Sequence, residues 1–201
     1  MNHYLIKNSN CVLREIFYDE NNLYLLKNFV EEILAIKIID ILQKNSLEEK
    51  VKHFYPDNIK GIIDLQVLTD DDEKINIGVQ IIDGQYIQEK ILIYGALIHG
   101  MQDIECAKDT DNRTITINIL DMDYFSTQEY HKKINFAEEK LVFHILELPK
   151  FKKSNIETNE EAWISYFKAD SKDMIEKARK KSSIINELDF ILDKYWKNEK
   201  I

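Results

Sequence analysis

The sequence predicts an α/β (α+β) chain: a mixed central β-sheet flanked by helices. Three observations predict it. In residues 61–82, two runs rich in Ile, Leu and Val flank a short acidic break, the pattern of a hairpin of half-buried strands. A helical stretch over residues 86–102 then precedes the run TITINIL at 114–120, and a helix of that length suits a crossover to a parallel neighbour. Both ends of the chain carry apolar residues at helical spacing.

A chain of 201 residues with 44% apolar content can bury a sizeable core in one main domain. Its 36 acids against 27 bases exclude a uniformly basic nucleic-acid surface and leave local basic patches open. Cys11 and Cys106 lie far apart, and the opening MNHYLIKNSN lacks the apolar core of a signal peptide, so a reduced, cytoplasmic protein is expected. The longest apolar run, residues 91–98, is far below spanning length, so no membrane role is expected.

The first forty-five residues read as helical. VLREIF follows Asn10, and Asp19 or Asn21 can cap a longer helix whose apolar positions run from Leu23 through Phe29 and Ile33 to Ile41 and Leu42. Arg14 and Glu15 read as a solvated pair. In the hairpin, with its turn at 69–74, strand parity places Ile63, Leu65 and Val67 on one face and Asp64 and Gln66 on the other. In the second strand Ile75, Ile77, Val79 and Ile81 form an apolar face opposite Asn76, Gly78 and Gln80. A turn around Asp71 or Asp72 sets Asp64 opposite Gly78 or Gln80. Asp64 and Gln80 then either share a ligand or serve local roles at the sheet rim.

Residues 121–140 read as polar and irregular, anchored by Tyr124, Phe125 and Phe136, and a strand over 141–148 ends at Pro149. His144 reads as a core or rim histidine, as do His53, His99 and His131, because none stands at a zinc-ligand spacing. From Glu160 the chain reads as helical again: a short segment bearing Trp163, Tyr166 and Phe167, then a helix over 173–196. Its Lys177, Arg179, Lys180 and Lys181 suit a solvated face better than a phosphate contact. Glycine-rich phosphate loops, a nucleophile elbow and a dinucleotide fingerprint are absent.

Five pieces in this order resemble the PD-(D/E)XK nuclease family transposases, bacterial proteins also described as recombination-promoting nucleases. They are VLREIF, Lys60 with GII and Asp64, INIGVQ ending at Gln80, the IYGAL of the central helix, and LVFHILELPKF followed by Trp163. The resemblance implies a restriction-endonuclease-like core over residues 1–150 and a C-terminal helical extension over 151–201 packed on it. It implies DNA as the ligand and leaves open a second copy of the chain or a protein partner.

The resemblance also assigns roles. Asp64 takes the motif aspartate, Gln80 the last residue of a Glu-x-Gln pattern, and Asp64 with the Val79 carbonyl would hold Mg2+ or Mn2+. Lys60 and Lys90 would contact substrate, Lys90 standing where relatives carry arginine. The departure is Gly78, which occupies the position of the motif glutamate and leaves one carboxylate where the pattern has two. Cleavage is therefore expected to be weakened or lost, with Glu15 and Asp83 the candidates to substitute and Gly78→Glu expected to restore metal binding where the rest of the pocket is intact. The alternative is an inactive module that binds nucleic acid or a partner on the same fold.

Overall fold

The computed structural model describes residues 10–45, 63–82, 84–105 and 113–198. Helices α1 (Asn10–Tyr18) and α2 (Leu23–Leu34) come first, joined by a tight turn at Glu20–Asn22. Strands β1 (Ile38–Asn45), β2 (Ile63–Thr69) and β3 (Lys74–Ile82) follow, then α3 (Ile87–Glu105) and β4 (Arg113–Leu120). Strands β5 (His131–Phe136) and β6 (Leu141–Glu147) precede α4 (Asn159–Lys168), α5 (Lys172–Lys181) and α6 (Ser183–Asn198).

The strands form one six-stranded mixed sheet in the order β1-β2-β3-β4-β6-β5. The β1, β2 and β3 segments pair antiparallel, β3, β4 and β6 are parallel, and β5 runs antiparallel along β6. Helix α3 is the crossover that makes β3 and β4 parallel, as its length required.

Alternation along the strands gives the sheet two unlike faces. One is apolar, with Leu65, Val67, Ile77 and Ile117 closing a core against α1, α2 and α4–α6. There the Phe29 ring meets Trp163 edge to face with centroids 5.3 Å apart, and the Trp163 indole donates to Asn28 Oδ1 at 3.0 Å. The other face carries Asp64, Asn76, Gly78, Gln80, Thr116 and Asn118, and α3 lies across it. A smaller apolar cluster of Ile87, Ile91, Leu120 and Phe143 holds the start of α3 down.

Three elements differ from the sequence expectation. The long first helix stops at Leu34, where Ala35 turns left-handed (φ 52°), and the chain continues as β1 rather than as helix to Leu42. Three β-branched isoleucines within residues 36–39 favour a strand, and the Ile38 N–H is taken by the Glu31 carboxylate at 2.8 Å. The stretch read as irregular contains β5, whose short HKKINF gains its order from pairing with β6. The last helix is two: Ser182, extended at φ −125°, separates α5 from α6, and its hydroxyl accepts the Ile185 N–H at 3.3 Å.

Candidate active site

Asp64 is the second residue of β2 and is paired directly with Gly78 of β3, the first of the two partners that parity allowed. It is only 3% exposed. Its main-chain N–H donates to the Tyr18 hydroxyl at 3.1 Å, so α1 reaches the site through the last residue of its helix. Its carboxylate Oδ1 accepts from the Tyr94 hydroxyl at 2.8 Å, and the Ile63 carbonyl lies 3.3 Å from the same hydroxyl. Burial, followed by the Asp64 charge, pushes the Tyr94 phenol well above its ordinary range, so Tyr94 keeps its proton and is the donor. Burial also raises Tyr18, with the Asp64 N–H partly offsetting it.

Gly78 explains how Tyr94 gets there. A Cβ on residue 78 would stand 2.2 Å from Ile98 Cδ1, 2.7 Å from the Tyr94 hydroxyl oxygen and 3.0 Å from its ring. The start of any side chain at this position is therefore occupied from above by α3. The condition attached to Gly78→Glu, an otherwise intact pocket, meets an obstacle here: the new side chain would run into Tyr94 and Ile98 unless they move.

Gln80 lies on the same face, buried, and its Nε2 donates to Asn118 Oδ1 at 2.6 Å. Asn118 Nδ2 in turn donates to Thr116 Oγ1 at 3.0 Å and to the His144 carbonyl at 3.1 Å. Sequence reading missed Asn118, although its alternation with the isoleucines of β4 put it on the polar face. The Val79 side chain is buried in the large core, and its backbone pairs with Ile63 on one side and Ile117 on the other. Lys90 sits on α3 four residues before Tyr94, partly exposed, on the same helix face. Lys60 and Asp83 lie outside the described residues. Glu15 does not join the site: it is exposed, and its carboxylate takes the Tyr195 hydroxyl of α6.

A second polar constellation lies on the opposite face. His131 Nε2 and His144 Nδ1 are 2.8 Å apart, and His131 Nδ1 meets Glu160 Oε1 at 2.6 Å. The pairing of β5 with β6, unrecognised in the sequence, brings the two histidines together. Among the described residues no group of three or more His, Cys, Asp or Glu could hold a metal ion. In the basic cluster of α5, Lys177 is paired with Asp173 and Arg179 with Asp189, while Lys180 and Lys181 stand exposed.

Among the described residues, those around Asp64 do not fit a divalent cation. A hard cation needs several oxygen donors, anionic ones above all. Here one carboxylate faces Gly78, its Oδ1 is engaged by a phenol, and the Gln80 amide is bonded within the sheet.

A family model described as PD-(D/E)XK nuclease family transposase matches residues 9–200. No curated protein and no solved structure matches the chain. Because the family match takes in every described element from α1 to α6, the chain belongs to the PD-(D/E)XK nuclease family transposases.

Proposed function

We propose that this chain keeps the nuclease fold with metal-dependent DNA phosphodiester hydrolysis weakened or lost, and serves as a binding module with DNA as the inherited ligand. Nucleases of this family generally use divalent metal ions. Such an ion, Mg2+ or Mn2+, clamps the scissile phosphate and lowers the pKa of the attacking water. The observation that carries the reading is Tyr94, whose hydroxyl stands beside Asp64 where a side chain on residue 78 would begin. Among the described residues an ion there would find no second carboxylate and would compete with a buried hydrogen bond for the first.

A protein partner is the second reading, and two observations favour it. Nine excess acids oppose tight nonspecific DNA binding, and Tyr86 and Leu92 project from the start of α3 at 70% and 50% exposure.

The test of the first reading is incubation of supercoiled plasmid with purified protein and Mg2+ or Mn2+, beside Asp64→Ala and metal-free controls. Little or no nicking above the metal-free background is expected, and only efficient nicking counts against the reading. Such metal-dependent nicking, if it disappears in Asp64→Ala, would overturn it.

A further inference from the structure

We propose that Tyr94 and Asp64 form a latch that seats α3 on the sheet, with Gly78 as the socket that admits it. The inference rests on the reading that this centre does not hold a metal. It adds that the inherited aspartate has a new task, as acceptor for a tyrosine.

The Tyr94 hydroxyl lies 2.8 Å from Asp64 Oδ1 and 2.7 Å from the position of a Cβ on residue 78. It therefore fills the space between the aspartate and its missing neighbour. Both partners are buried, at 3% exposure each. Loss of either one takes a short hydrogen bond from a buried polar group of the other, which costs more than the bond contributes when made. Loss of both together removes the burden as well as the bond.

A second close approach supports the same seating. Gly95, the residue after Tyr94, lies over Phe143 of β6, where a Cβ would stand 2.6 Å from Cε1 of that ring. Two glycines thus accept two aromatics across the same interface: Gly78 of the sheet takes Tyr94 from the helix, and Gly95 of the helix takes Phe143 from the sheet. The helix settles close to the polar face because both sockets are empty of side chains. The burial that keeps Tyr94 protonated keeps it a donor throughout the physiological range.

The test is a double-mutant cycle in urea with wild type, Asp64→Leu, Tyr94→Phe and the double variant, each able to fold or fail on the same scale. Each single substitution is expected to raise the unfolding constant, and the double variant to fall short of the product of the two by on the order of tenfold or more. Multiplicative effects would overturn the latch. In parallel, Gly78→Glu and the paired Gly78→Glu, Tyr94→Ala variant are titrated with Mn2+. Binding by the paired variant alone is expected, and equal binding by both, or none by either, would overturn the socket. Efficient metal-dependent nicking by the wild type would remove the reading beneath the proposal. A multiplicative cycle in a protein that does not nick efficiently would remove the latch alone.

Discussion

A methyl group added at residue 78 would approach Ile98 Cδ1 to 2.2 Å and the Tyr94 oxygen to 2.7 Å. The isoleucine methyl is the end of a short branch and can turn aside. Tyr94 cannot withdraw without giving up Asp64. Gly78→Ala is expected to destabilise the fold by about 1–3 kcal/mol, the usual cost of overpacking, measured by urea unfolding. Parity put Asp64 opposite Gly78 or Gln80, of which the register takes Gly78, and the missing glutamate was legible only through the family resemblance. Tyr94 was not legible as a partner, because a tyrosine in a helix carries no mark of the strand it will face. The histidines were hidden for a related reason: His131 meets His144 only once β5 is known to be a strand. Burial, then the His131, Lys133 and Arg113 charges, pull the folded His144 down to about 3 from 6.5. Below 6.5 the unfolded chain takes a proton that the folded chain refuses, so this stability is full above 6.5 and is lost as pH falls toward 3. From pH about 7.5 to about 5 the loss from this group is about 2 kcal/mol. Urea midpoints across that range should fall for wild type and fall less for His144→Asn.

Among the elements, α3 shows packing overriding propensity. An alanine in place of Gly95 gains up to about 1 kcal/mol of helix propensity. It also drives a Cβ to 2.6 Å from the Phe143 ring, on a strand that cannot retreat. Overpacking at about 1–3 kcal/mol wins, so Gly95→Ala is expected to lower the melting temperature, and a rise would contradict the close seating of α3. The start of α4 is the opposite case, in which local chemistry agrees with the fold. Thr158 accepts the Glu161 N–H at 3.1 Å, and the Glu161 carboxylate returns to the Thr158 N–H at 3.3 Å. Thr158→Ala is expected to cost about 1 kcal/mol in the same assay. The hairpin was legible from its alternation about an acidic turn, and β6 from a mainly apolar run ended by Pro149. The start of β1 was not, because Ile38, Ile41 and Leu42 continue the helical stripe that runs through Ile33 and Leu34, and only pairing with β2 decides against it.

At the scale of the whole molecule, the sheet divides the work. The apolar face carries the large core with α1, α2 and α4–α6, and among the described residues α3 covers the polar face that holds Asp64 and Gln80. Among the described residues no helix is long and apolar enough to cross a membrane. The fold class was legible from the order of periods along the chain, and the match over residues 9–200 agrees with it. On the proposed reading the Asp64 carboxylate serves Tyr94 and not a metal. Calorimetric titration of Mn2+ into wild type and Asp64→Ala, side by side, tests it most directly. The account predicts the same heats from both proteins, with no binding that depends on Asp64. Saturable Mn2+ binding by wild type that vanishes in Asp64→Ala would contradict it.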